Sequence, residues 1–71
     1  MPEDYRMGVS FMRDISPYMP EIAQQRGYTA LWYGPENVLV LEDWSGREWD
    51  QWAGVAGMED AVYILQSYEN Y

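Results

Sequence analysis

The chain lacks the residues on which most catalytic and cross-linking chemistry depends. Its 71 residues include no cysteine, no histidine and no lysine, so that four arginines are its only basic side chains. Without cysteine there is no disulfide and no thiolate nucleophile, and without histidine there is no imidazole base and no common zinc site. These absences predict a protein that is not an enzyme.

Acidic side chains are the one remaining source of chemistry, but their spacing does not build a site. Three pairs of acids are adjacent in the sequence: Glu3–Asp4, Glu42–Asp43 and Glu59–Asp60. Neighbouring residues point to different faces of a strand or helix, so adjacency alone makes no acid–base pair. A calcium loop centred on Gly46 would need ligands from Leu41 and Trp52, whose side chains carry no oxygen. We therefore expect no catalytic residue, no cofactor and no metal.

Aliphatic residues are scarce as well, and aromatic residues take their place. Only 13 residues are Leu, Ile, Val or Phe, whereas 11 are Tyr or Trp. Each buried ring removes roughly 150–250 Å² from water, which predicts one folded domain over residues 1–71 rather than a disordered chain. Tyr68 and Tyr71, near the end of the chain, are the first candidates for exposed rings. Five other rings are expected to be in the core or partly buried: Trp32, Tyr33, Trp44, Trp49 and Trp52.

A domain of this size depends on association more than an average domain does. A chain of about 60 residues buries only about 60% of its unfolded surface, and this one has no disulfide to compensate. We therefore expect a tight partner protein or a second copy of the chain. The uncharged runs are far shorter than a membrane span and the amino terminus is acidic, so we expect a cytoplasmic protein with no membrane partner.

The first third of the chain contains one ambiguous element and one well-marked element. Apolar residues alternate over Tyr5–Phe11, which favours a strand, although apolar residues four apart also fit a helix. Ser16–Pro17 and Pro20–Glu21 both offer a helix start. From either start, a short helix is predicted to run to Arg26 and to stop at Gly27.

The clearest prediction is a β-hairpin in the middle of the chain. Tyr28–Tyr33 and Val38–Glu42 flank a four-residue turn, Gly34–Asn37, that is rich in residues that interrupt regular structure. Val38–Leu41 is an unbroken apolar run. That strand is therefore expected to be central in its sheet or covered on both faces.

Two further helices are predicted after the hairpin. Ser45 and Glu48 have the spacing of a capping box, and four residues follow at helical spacing: Trp49, Trp52, Ala53 and Ala56. A final helix is predicted with Glu59 and Asp60 in its first turn and this apolar stripe: Ala61, Ile64, Leu65 and Tyr68. The element order β-α-β-β-α-α predicts an α+β fold, a small antiparallel sheet with helices packed on one face.

The acidic residues are concentrated in the second half of the chain. The formal net charge is −8. Residues 1–35 contribute four acids and three arginines, whereas residues 36–71 contribute eight acids and one arginine. Such an excess destabilises a small domain by self-repulsion, which favours an acidic face kept for a basic partner. The partner-binding residues predicted on this face are Glu36, Glu42, Asp43, Trp44, Glu48, Asp50, Glu59 and Asp60.

Two functions fit these features. The first is a protein-binding module, an accessory or assembly subunit whose aromatic and acidic surface docks on a basic partner. One form of this hypothesis is a homodimer with the aromatic face as its interface. The second is a nucleic-acid mimic that blocks a basic groove, because phage-encoded inhibitors of host defence and anti-CRISPR proteins share this small, acidic profile. Direct nucleic-acid binding is not expected, since the chain repels polyanions.

Overall fold

The computed structural model describes residues 12–71, in which four strands form one antiparallel sheet with the spatial order β1-β2-β3-β4. The strands are β1 (Met12–Asp14), β2 (Thr29–Tyr33), β3 (Val38–Glu42) and β4 (Glu48–Trp52). A 3₁₀ turn (Ser16–Tyr18) and helix α1 (Glu21–Gln25) lie between β1 and β2, and helix α2 (Met58–Ser67) follows β4. The predicted α+β class is confirmed. The strand predicted over Tyr5–Phe11 lies outside the described residues.

Both predicted helix starts are used, each by a separate short element. Pro17 lies in the first turn of the 3₁₀ segment, and Pro20 is the residue before α1. The helix ends at Gln25 with Arg26 as its C-cap, and Gly27 follows with a φ of 81°. Glycine adopts this left-handed conformation at little cost, so the predicted stop at Gly27 is confirmed.

The β2–β3 hairpin forms as predicted. Its strands pair with Trp32 opposite Leu39 and Ala30 opposite Leu41, and Asn37 closes the turn with a φ of 57°. Asparagine is one of the few residues besides glycine that tolerate this conformation. Strand β3 also pairs with β4, so the prediction that it is central in its sheet is confirmed.

The helix predicted from Ser45 to Ala56 is wrong, because strand β4 occupies most of that segment. Leu41 pairs with Asp50 and Glu42 pairs with Glu48, so Trp49 is an extra residue that forms a β-bulge. A bulge turns two consecutive side chains to the same side of a sheet. Trp49 and Trp52 therefore share a side although they are three positions apart, and this spacing imitates a helix. The observed order has three consecutive strands before a single final helix.

The final helix agrees with its prediction. Helix α2 begins after the extended residue Gly57 and carries both predicted acids in its first turn. Ala61 and Leu65 are fully buried, and the remaining stripe residues, Ile64 and Tyr68, are half-buried against the core. In residues 12–71, no helix is long and apolar enough to cross a membrane.

One buried cluster joins the sheet to the other elements. Strand alternation and the observed register place four core residues on the same face of the sheet: Ala30, Trp32, Leu39 and Leu41. Ala23 from α1 and Ala61 and Leu65 from α2 belong to the same cluster. In residues 12–71, Trp32 is buried and Trp52 is half-buried, as expected. The expected burial is wrong for Trp44 and Trp49, which are exposed because both lie in or beside the β3–β4 turn. This core holds the β3–β4 hairpin, where the candidate site lies.

Candidate protein interface

The predicted acidic residues form two groups at opposite ends of the sheet. Glu36 lies in the β2–β3 turn. The Val55 N–H donates to the Asn37 carbonyl in that turn over 3.0 Å, and α2 begins three residues after Val55. The first turn of α2, with Glu59 and Asp60, therefore lies close to the same end of the sheet. The other group surrounds the β3–β4 turn: Glu42, Asp43, Glu48 and Asp50. A five-residue strand separates the groups by about 14 Å at ~3.4 Å per residue.

The β3–β4 turn is organised by one carboxylate. Asp43 Oδ1 accepts hydrogen bonds from the Ser45 N–H (2.8 Å), the Ser45 hydroxyl (2.7 Å) and the Arg47 N–H (3.0 Å). The Ser45 hydroxyl is the main cause that lowers the pKa of Asp43; desolvation opposes it, and the two backbone donors and the Arg47 charge add to it. Gly46 completes the turn with a φ of 84°. Asp43 is therefore charged at neutral pH, and its Oδ2 takes no part in these bonds.

Trp44 stands at the tip of this turn with 78% of its surface exposed. Large aromatic side chains are seldom so exposed in a folded domain, since burying one is worth several kcal/mol at about 25 cal/mol per Å². Its backbone is nevertheless well held. A Cβ added at Gly27 would lie 3.0 Å from the Trp44 Cβ, so the α1–β2 turn packs directly against the tip. The structure thus presents a fixed residue with a free ring.

Two predicted acids face each other next to Trp44. Glu42 and Glu48 are partners in the β3–β4 register, and Glu48 is exposed. Like charges directly opposite each other on neighbouring strands destabilise a sheet. An external basic group placed here would relieve this repulsion.

Asp50 has an internal role. Its Oδ2 accepts a hydrogen bond from the Tyr68 hydroxyl (3.0 Å), which in turn accepts one from the Trp49 indole N–H (2.9 Å). Burial is the main cause that raises the pKa of Tyr68; the bond from Trp49 opposes it, and Asp50 adds to it. This chain of bonds fastens the end of α2 to β4. Asp50 is consequently less available to a partner than Glu48.

Further rings complete an aromatic cluster around Tyr68. Tyr28 stacks on Trp49 with the ring centroids 5.4 Å apart, and Trp52 meets Tyr68 edge-on at 5.3 Å. Tyr71 packs on Tyr68 at 4.9 Å, and its hydroxyl donates to the Leu65 carbonyl (2.6 Å). The Arg26 guanidinium donates to the backbone carbonyl of Tyr71. Tyr68 and Tyr71, the first candidates for exposed rings, are instead half-buried by this cluster.

An open cleft of about 310 Å³ lies beside Trp44 and is lined by Asp43, Arg47, Glu48 and Trp49. Sequence reasoning placed Trp49 in a helix and did not select Arg47. The signal that could have found Arg47 is the Asp-x-Ser-Gly-Arg pattern at residues 43–47, in which Asp, Ser and Gly are typical turn residues. In the described part of the chain, no group of three or more carboxylates is arranged to hold a metal ion.

Comparison with known proteins assigns the chain to no family: no protein-family model matches it, and neither a curated protein nor a solved structure matches.

Proposed function

We propose that the chain is a non-enzymatic protein-binding module that docks on a basic partner protein through the tip of the β3–β4 hairpin. The observation that carries the proposal is Trp44, a ring with 78% of its surface exposed on a backbone fixed by Asp43 and Gly27. Tryptophan is the residue most enriched among binding hot spots, and a fixed backbone lowers the entropy lost on binding. In this proposal both helices support the sheet from one face, and the module acts in the cytoplasm.

The charges around Trp44 support a basic partner. Glu42, Asp43 and Glu48 lie within a few residues of the ring on the same hairpin, and Glu42 and Glu48 are direct cross-strand partners. Acids at the rim of an interface steer an oppositely charged partner and select against acidic ones. A basic surface would also relieve the repulsion between the two glutamates.

The nucleic-acid mimic is the less favoured alternative. A mimic needs carboxylates spread along one face as phosphates are, whereas the predicted acids lie in two groups about 14 Å apart by strand geometry. Trp44, an exposed tryptophan within one of these groups, has no counterpart in a phosphate backbone. A mimic also predicts that partner binding weakens steeply from low to moderate salt and that duplex DNA competes for the partner.

The test compares Trp44→Ala with the wild-type chain in capturing proteins from the native host's lysate, followed by affinity measurement with the captured protein. A hot spot is worth at least about 2 kcal/mol, so we expect a loss of at least about thirtyfold in affinity. Tyr63→Ala is the matched control, because it removes another exposed ring (71% exposed) that lies on α2. Tyr63→Ala should bind as the wild type does.

Urea unfolding of Trp44→Ala should match that of the wild type, since the ring contributes little buried surface. If Trp44→Ala keeps full affinity, the proposal is wrong. If Trp44→Ala binds normally while duplex DNA displaces the partner and Glu42→Gln with Glu48→Gln abolishes binding, the mimic is supported instead.

A further inference from the structure

We infer that the cleft beside Trp44 receives one arginine side chain of the partner, stacked on the indole of Trp49 and paired with the carboxylates of Glu48 and Asp43. This inference rests on the proposed function, because it names the group that the same hairpin recognises. Its evidence is the cleft of about 310 Å³ and the chemistry of its walls.

The aromatic wall of the cleft is fixed in place before any ligand arrives. Tyr28 covers one side of the Trp49 ring, and the Tyr68 hydroxyl holds its indole N–H over 2.9 Å. Trp49 still has 46% of its surface exposed, and part of that surface lines the cleft. An indole face attracts a cation through its quadrupole, and a planar guanidinium stacks on it better than an ammonium does.

The acidic walls select for a cation. Glu48 is exposed and faces Glu42 across the β3–β4 pair, and Asp43 has an oxygen, Oδ2, outside the bonds that hold the turn. An anionic ligand would meet the two carboxylates that line the cleft, Asp43 and Glu48. A guanidinium can pair with a carboxylate through two parallel N–H donors while it lies on a ring.

Arg47 also lines the cleft, and it gives the inference a test of opposite sign. Its positive charge competes with an incoming guanidinium for the same carboxylates. Its backbone, rather than its side chain, makes the turn bonds to Asp43. Arg47→Gln should therefore keep the turn and bind the cation more tightly.

The experiment titrates the full chain with N-acetyl-arginine amide and follows the Trp49 indole N–H by NMR. N-acetyl-citrulline amide is the matched ligand, because it has the same shape without the charge. We expect the arginine probe to shift the Trp49 signal and the citrulline probe to leave it nearly unchanged. Glu48→Gln should lower the affinity for the arginine probe and Arg47→Gln should raise it, each by about two- to fivefold, as for an exposed ion pair. Glu59→Gln, at the other end of the sheet, is the control and should have no effect.

Three results would overturn the inference: equal shifts with both probes, shifts spread over all acidic residues, or Glu48→Gln and Glu59→Gln with the same affinity. The titration needs no partner, so its outcome is independent of the Trp44 test. Binding of the probe together with full capture by Trp44→Ala would retain the cleft and reject the docking tip. If Trp44→Ala loses capture and the wild-type chain does not bind the probe, the docking tip is retained and the cleft is rejected.

Discussion

The two hairpins that share strand β3 differ in what holds them together. In the β2–β3 hairpin, apolar side chains pair across the strands and lie in the core, as Trp32 does opposite Leu39. In the β3–β4 hairpin, the outer strand is largely exposed and contains a bulge, and its rings are held by Tyr28 and Tyr68. The first hairpin is therefore specified by its own sequence pattern, and the second by contacts that are distant along the chain.

This difference places the candidate site on the less regular hairpin. The β2–β3 hairpin supplies rigidity, since β3 is buried over Leu39, Val40 and Leu41. The β3–β4 hairpin supplies the exposed ring, the unpaired like charges and the cleft. A site that needs exposed aromatic and charged groups costs stability, so it depends on a well-packed neighbour.

The largest expected loss of stability comes from a change in the core of the β2–β3 hairpin. Leu41 is 0% exposed, and Leu41→Ala should lower the free energy of unfolding by about 2–5 kcal/mol through lost burial and a cavity. Leu31→Ala is the control, because Leu31 lies on the other face of the sheet and is only half-buried. Urea unfolding should show a clearly smaller loss for Leu31→Ala. Equal losses for the two variants would mean that the core does not lie on the face assigned here.

An intermediate effect is expected where the two hairpins meet the α1–β2 turn. Gly27→Ala places a residue with a Cβ in a left-handed conformation, which costs about 1–2 kcal/mol. It also brings that Cβ to 3.0 Å from the Trp44 Cβ. Gly46→Ala is a matched control, since Gly46 has a similar φ of 84° and a Cβ added there would meet no atom of a non-neighbouring residue within 4 Å. We expect Gly27→Ala to be the less stable variant by about 1 kcal/mol in urea unfolding. Equal stabilities would show that Gly27 does not hold the tip.

The same comparison explains what could be predicted from the sequence. The β2–β3 hairpin, the stop at Gly27 and the stripe of α2 follow from periodicity and turn residues, which act locally. Strand β4 was predicted as a helix because its bulge places Trp49 and Trp52 on one side at helical spacing. No local rule distinguishes that arrangement from a helix.

The site was predictable in composition but not in arrangement. Trp44 and its acidic neighbours were selected from the sequence, and the structure places Glu42, Asp43 and Glu48 around the same turn. The division of the acids into two groups depends on which turn lies at which end of the sheet. The internal role of Asp50 depends on Tyr68, 18 residues away. Both facts require the tertiary fold.

The smallest effect is confined to alkaline pH and concerns the aromatic cluster that holds the β3–β4 hairpin. Burial raises the pKa of Tyr71 to about 12, from an ordinary value of 10.0. Below pH 10 the phenol is neutral in both folded and unfolded chains, so its stabilising contribution is complete. Between pH 10 and 12 the unfolded chain loses the proton first, and stability falls as the pH rises.

Tyr71→Phe has no phenol at this position, so its Tm should fall less steeply over this range than that of the wild type. Leu31→Ala, which is destabilised without losing a phenol, should keep the wild-type slope. Equal slopes for Tyr71→Phe and the wild type would show that the Tyr71 hydroxyl is not buried by the cluster.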